Sequence, residues 1–139
     1  MDKGLIVHVA VINNDKLLIL KRVEGSYLGG IWDIPGGTLE NGELPEEGAL
    51  REVLEETGLE LKEAHLFYCH STIDQEKNKQ FVTLVFLSKT EKKKIKINLK
   101  EHSEYSWVKL DEIKSYPTVD YLGSCVVYLK EKGLTRLIS

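Results

Sequence analysis

The 139-residue sequence is short of several things, and each shortage excludes something. It holds two cysteines, Cys69 and Cys125. Two thiols do not make the framework of a disulfide-stapled domain. They read instead as small apolar residues in a reducing compartment. No long apolar run exists. The longest, Leu5 to Ile12, is interrupted by His8 and falls far short of the ~20 residues that span a bilayer. The opening Met1-Asp2-Lys3-Gly4 lacks the basic-then-apolar order of a signal peptide. The expectation is a cytoplasmic protein with no membrane partner. Cationic surplus is missing too: Lys plus Arg is 19 against 22 Asp plus Glu, a net charge of −3. Duplex nucleic-acid binding needs a basic surplus or a concentrated basic face, so nucleic acid is not the expected partner. A slightly acidic protein that binds a polyanion needs a local source of positive charge, and a bound divalent metal is one.

What is present is ordinary for a globular chain: 42% hydrophobic and 29% charged residues. Length alone predicts one domain over residues 1–139, large enough to fold without a disulfide or metal. Leu5–Ile12 is apolar at nearly every position, which suits a strand buried on both faces. Asn13-Asn14-Asp15 is a turn signal and Lys16–Arg22 its partner strand. Glu24-Gly25-Ser26 and Gly29-Gly30 predict a loop, Ile31–Ile34 a short extended piece, and Pro35-Gly36-Gly37 a break. His65–Ile73 and Gln80–Ser88 read as a hairpin. Ile95–Ile97 and Tyr105–Val108 read as short strands, Leu110–Lys114 as a helical turn, and Val119–Lys132 as a helix stopped by Gly133. Strands with two helices placed this way predict a mixed sheet covered by helices. Lys92-Lys93-Lys94 reads as a solvated hairpin tip rather than a phosphate site.

Pro45–Thr57 is the clearest helix. Pro45 suits its first position, Glu46 and Glu47 its positive end, and Gly58 its stop. At ~100° per residue, Leu50, Val53 and Leu54 share one face, which is expected to meet the core. Glu52, Glu55 and Glu56 lie opposite at i, i+3 and i+4. Like charges at those spacings cost roughly 0.2–0.5 kcal/mol per pair, so three carboxylates need solvation or a cation. Arg51 is adjacent but points to one side of the cluster. Oxygen donors at this density suit a hard ion such as Mg²⁺ or Mn²⁺. Gly36-Gly37, just ahead, lets backbone approach a ligand closely.

Read together, the segment is Gly37, five residues, Glu43, seven residues, then Arg51-Glu52-Val53-Leu54-Glu55-Glu56-Thr57-Gly58-Leu59. This resembles the signature of the Nudix hydrolase family, MutT-like members included, and meets its nine specified positions over residues 37–59. The resemblance implies an α/β/α sandwich with a mixed β-sheet between helices. It implies metal-dependent hydrolysis of a nucleoside diphosphate linked to another group, with Mg²⁺ (or Mn²⁺) as cofactor and a small nucleotide as partner. By the same resemblance, Glu52, Glu55, Glu56 and the Gly36 carbonyl match metal ligands. Arg51 and Glu43 match a pair that orients the loop and helix. Glu101, in a segment similar to one that carries a later functional glutamate, matches a general base or further ligand, with Glu52 and Glu104 as alternatives. Arg22 matches a substrate-contacting arginine.

Beyond these, Asp33 and Asp120 could read a purine edge, and Tyr27, Tyr68 or Phe81 could stack on a base. Family members acting on ADP-ribose tend to carry a proline where Asp74 and Gln75 stand here. Elimination leaves a nucleoside triphosphate, oxidised or not, cleaved to monophosphate and pyrophosphate. The alternatives are an ADP-ribose or other nucleotide-sugar substrate, an RNA 5′ end, or a non-catalytic nucleotide sensor. A monomer or homodimer is expected.

Overall fold

A computed structural model describes residues 1–133. The last six residues of the expected 1–139 domain lie outside the described residues. Seven strands form one mixed sheet: β1 (Asp2–Asn13), β2 (Lys16–Arg22), β3 (Trp32–Asp33), β4 (Gly36–Thr38), β5 (His65–Asp74), β6 (Lys79–Lys89) and β7 (His102–Lys109). Two helices accompany them, α1 (Pro45–Thr57) and α2 (Asp120–Glu131), with a 3-10 turn at Leu110–Ser115. β1 runs parallel to β6 over eleven paired positions, and every other strand pair is antiparallel.

The apolar run of β1 is explained by burial on both faces. Val7, Val9 and Val11 join Ala49 and Val53 of α1 in one core layer. Ala10 and Ile12 join Tyr121, Leu122, Cys125 and Leu129 of α2 in the other. β2 alternates likewise, with Leu18 and Leu20 toward α1 and Leu17 and Ile19 toward α2. Period-2 side-chain alternation in a sheet with a helix on each face makes nearly every position apolar. The result is the expected α/β fold with its mixed sheet between helices.

The site owes its place to a defect in this sheet. β1 and β2 pair only at Ile12↔Leu17 and Asn13↔Lys16, and then splay. The segment after the first loop wedges between them. Trp32–Asp33 pairs with β2, Gly36–Thr38 pairs with Ile6–His8 of β1, and the Val9 amide donates to the Pro35 carbonyl at 2.9 Å. On the far edge of β2 the register slips between Lys21 and Arg22, which sets Arg22 across from His102. The Val23 amide then donates to the Glu101 carbonyl at 3.0 Å. The diglycine, Arg22 and Glu101 thereby meet at the splayed end of the sheet.

Two expectations need correction. Ile95–Ile97 is not a strand; it is irregular chain in which Ile95 is still buried against the α1 layer. Leu54 does not face the core but is 47% exposed, whereas Leu50, half-buried, packs against it as expected. The buried stripe of α1 is Ala49, Val53, Glu56 and Thr57, with Gly48, so the helix is rotated to turn Glu56 inward. Gly58 does end the helix, at φ +76°, with its amide bonded to the Leu54 carbonyl.

Candidate active site

A cleft of ≈ 520 Å³ opens at the splayed end of the sheet. Its walls include Gly36, Gly37, Glu52, Glu55, Glu56, Arg51, Arg22, Asp33 and Glu101. Positions 65 residues apart in sequence, from Gly36 to Glu101, therefore share one cavity. Phe81 and Asp120 do not line it. Phe81 lies under the Lys79 ammonium, 5.2 Å from its ring centre, and Asp120 is an exposed residue at the start of α2. Glu43 stands behind the wall, holding Arg51. Glu104, the weaker candidate base, is exposed and paired with Lys21 at 3.3 Å.

Arg51 does not point aside as expected. Its Nε and Nη2 donate to the two oxygens of Glu43 at 2.6 and 3.0 Å. Its Nη1 donates to Glu52 at 2.8 Å and to Glu55 at 3.2 Å, and its Nη2 reaches the Thr38 carbonyl at 3.2 Å. One planar fork thus ties the loop before α1 to the acidic face of α1. The hydrogen bond from Arg51 holds the Glu43 carboxyl below its ordinary range, and the same contact, opposed by burial, holds the guanidinium more firmly protonated.

Glu56 is the anomaly. It is 6% exposed, and its nearest partners are another carboxyl and one backbone amide. Burial first, then the hydrogen bond and charge of Glu52, push its carboxyl up to about 9; Glu101 adds to this, and the Gly36 amide opposes it. That amide donates to Glu56 Oε1 at 3.3 Å. A buried carboxyl this close to a second one is stable only when protonated or when a cation is at hand.

The diglycine fits around the same groups. A Cβ on Gly36 would overlap the Val7 carbonyl and the His8 ring. A Cβ on Gly37 would stand 2.5 Å from a Glu52 carboxylate oxygen. Glycine is needed here for close approach, not for a special φ.

Among the described residues, no group of three His, Cys, Asp or Glu side chains is poised to enclose an ion. The arrangement accounts for this, because the Arg51 guanidinium occupies the oxygens of Glu52 and Glu55. The donor set nonetheless fits a hard divalent ion. It is all oxygen, it has one buried carboxyl without a counter-charge, and it sits against backbone stripped of side chains.

Two histidines that the motif does not specify also line the cleft, His8 and His102. The first left a trace in the sequence as the polar break in the apolar run of β1. His102 is buried, and among the described residues its Nδ1 has no partner. Burial first, then the charge of Arg22, pushes its imidazole down to about 4, which leaves it neutral.

An oxygen-rich cleft walled by an acidic helix, at the open end of a mixed α/β sheet, suits metal-assisted chemistry on a phosphoric anhydride bond. Comparison with known proteins agrees. The NUDIX domain model matches residues 2–123. The chain is 35% identical over 94 residues to the 8-oxo-dGTP diphosphatase of Proteus vulgaris, covering 66% of this chain and 81% of that protein. It is 35% identical over 74 residues to the ADP-ribose pyrophosphatase of Methanocaldococcus jannaschii, covering 53% of this chain and 43% of that protein. The solved MutT protein from Methanosarcina mazei Go1 is 27% identical, with a TM-score of 0.84 over 95% of this chain and 96% of that one. The chain belongs to the NUDIX domain family. Enzymes of this family act on small nucleotide substrates and generally use divalent metals. Among the described residues no helix is long and apolar enough to cross a membrane.

Proposed function

We propose that this protein is a metal-dependent pyrophosphohydrolase that cleaves a nucleoside triphosphate to the monophosphate and pyrophosphate. The observation that carries the reading is the buried Glu56 carboxyl, set against Glu52 and the Gly36 amide without a balancing cation. Mg²⁺ is the expected ion, held by Glu52, Glu55, Glu56 and the Gly36 carbonyl. When bound, such an ion neutralises phosphate charge and makes water a stronger nucleophile.

The chain's own groups have separate tasks. Glu56 would hold such an ion as a carboxylate, together with Glu52 and Glu55. Arg51 keeps the loop and helix in register through its two bonds to Glu43. Glu101, which lines the same cleft, accepts a proton from the attacking water. Arg22 borders the same cleft but spends its Nε on the Tyr27 carbonyl at 2.7 Å; its Nη atoms reach for phosphate. Asp33 faces the nucleoside. Phe81 and Asp120 lie outside the cleft and have no part in this scheme. The 8-oxo-dGTP diphosphatase relative supports a purine triphosphate as substrate, and the ADP-ribose pyrophosphatase relative makes ADP-ribose the first competitor to assay.

The test is a panel of nucleoside triphosphates, 8-oxo-dGTP, ADP-ribose and triphosphorylated RNA, run with Mg²⁺, with Mn²⁺ and with chelator. Monophosphate and pyrophosphate formed only with metal support the proposal. Turnover that survives chelator, or turnover confined to ADP-ribose, refutes it.

A further inference from the structure

β5 is the outermost strand on its side of the sheet. One of its edges pairs with β6 along the whole length, from His65↔Leu87 to Asp74↔Lys79. Among the described residues no backbone group bonds to the other edge. A ten-residue row of main-chain donors and acceptors therefore lacks a protein partner. Sheets guard such edges with charged side chains, proline or a covering segment. The edge strand β7 carries the exposed charges of Glu104 and Lys109. β5 holds no lysine, arginine, glutamate or proline, and its one irregularity is a register shift between Leu66 and Tyr68. The strand is also braced. Phe67 and Tyr68 pack on Tyr128 of α2, with ring centroids 6.5 and 5.6 Å away. A braced edge can accept a strand without rearranging.

The side chains beside the edge indicate which strand. Leu66 lies opposite Phe86 and Cys69 opposite Leu84, both of the α1 layer. Alternation puts Ser71 and Ile73 on that same face. Leu66 is 57% and Ile73 51% exposed, so one face has a large open apolar residue at each end. On the α2 face, His65 lies opposite Leu87 and Tyr68 opposite Val85. His70, Thr72 and Asp74 follow on that face by alternation. This second face has an imidazole at one end and a carboxylate at the other.

Both patterns are self-complementary under a twofold axis. Two copies of β5 laid antiparallel about His70 bring Leu66 of one copy beside Ile73 of the other. They also bring His65 of one copy beside Asp74 of the other, and each contact is made twice. The irregularity at Phe67 takes up the one residue by which the two halves of the strand differ. An imidazole has a ring N–H in either charge state, so it can donate to the carboxylate. The pairing uses up the free edge of both copies, so the assembly closes as a dimer and does not grow.

We propose that β5 pairs antiparallel with β5 of a second copy of this chain about a twofold axis at His70, which joins the two sheets into one. No residue of β5 lines the cleft, so the inference stands apart from the hydrolase reading and the two can fail separately. The test is light scattering and sedimentation equilibrium over about 1 to 500 µM protein. The mass should reach twice 15.8 kDa at the upper end. Leu66→Glu and Ile73→Lys should each weaken association about 100-fold, because each removes two symmetric contacts at about tenfold apiece. The double variant sets a new carboxylate of one copy beside a new ammonium of the other and should regain at least about tenfold. Within one chain the two positions are roughly 23 Å apart along the strand, too far to pair. Both side chains are exposed, so circular dichroism should be unchanged. Hydrogen exchange on the wild type needs no variant: β5 amides should gain protection as concentration rises, while α2 amides do not. A wild type that stays monomeric, growth beyond a dimer, or β5 amides indifferent to concentration overturns the proposal. So does a dimer that neither single variant weakens, or a double variant no tighter than the single ones.

Discussion

Glu56→Gln should inactivate the protein and, without metal, stabilise it. The wild-type carboxyl is held at about 9 in the fold, against an ordinary value of 4.5. Between these values the folded chain binds a proton that the unfolded chain does not. Stability from this group is therefore complete below about pH 4.5 and is lost as pH rises toward 9. Each pH unit in that window is worth about 1.4 kcal/mol, so at pH 8 the ceiling is ~5 kcal/mol. Relaxation and water entry at the cleft bring the expected effect to ~2 kcal/mol. Glutamine copies the protonated form: its oxygen can accept from the Gly36 amide, and its N–H can donate to Glu52. For a chain of this size ~2 kcal/mol is about 8 °C in Tm. The assay is thermal unfolding in chelator at pH 5.5 and pH 8. Wild type should lose stability over that range, while the variant should lose much less and melt higher at pH 8. Added Mg²⁺ should then raise the wild-type Tm and leave the variant unmoved, with kcat down by several orders of magnitude. A variant that melts below wild type at pH 8 in chelator would refute the account of Glu56 as a carboxyl short of a cation.

Four further outcomes separate the roles of individual residues. Gly37→Ala should cut activity with little change in Tm, because its Cβ meets the movable Glu52 carboxylate. Gly36→Ala should lower stability by about 2 kcal/mol, because its Cβ meets the fixed Val7 carbonyl; equal effects on Tm would contradict the distinction. Arg51→Lys should lower kcat/KM about 10- to 100-fold with unchanged circular dichroism, since an ammonium cannot hold both Glu43 oxygens and Glu52 in one plane; wild-type kinetics would remove Arg51 from the scheme. Cys69 is exposed, whereas Cys125 is 1% exposed and burial pushes its thiol up to about 12. Native alkylation followed by mass spectrometry should find one adduct at Cys69, and a second at Cys125 only in denaturant.

The parts of this structure that could be read from sequence are those set by local chemistry. Pro45, the paired Glu46 and Glu47, and Gly58 mark the ends of α1, and the Glu47 side chain does accept from the Leu44 amide at 2.9 Å. The β5–β6 hairpin follows from two β-rich runs about a polar turn. What could not be read depends on partners distant in sequence. Three apolar residues on one helical face predict the buried stripe, but here the cleft needs Glu56 inside, and Leu54 is displaced to solvent. Arg51 is drawn across its helix by Glu43, eight residues earlier, a pull no helical wheel contains. The wedge of Trp32–Thr38 between β1 and β2 is a property of the sheet. No residue in that stretch announces which neighbour it will take.

Buried polar groups in this fold sort themselves by whether they are satisfied, and the sorting points to one place. Asn13 donates to the Thr90 carbonyl at 2.8 Å, Thr57 to Val53 at 2.7 Å, and Ser88 to Glu63 at 2.6 Å. Each of these closes a loop or helix end, none of the three donors lines the cleft, and each can be explained by folding alone. Glu56 and His102 Nδ1 are not matched within the described residues, and both residues line the cleft. Leaving such groups unmatched costs stability, and the splay of β1 from β2 beside them costs ladder hydrogen bonds as well. A fold keeps such costs where a ligand offsets them, and carboxylates gathered beside the diglycine are what a cation-bound phosphate would require.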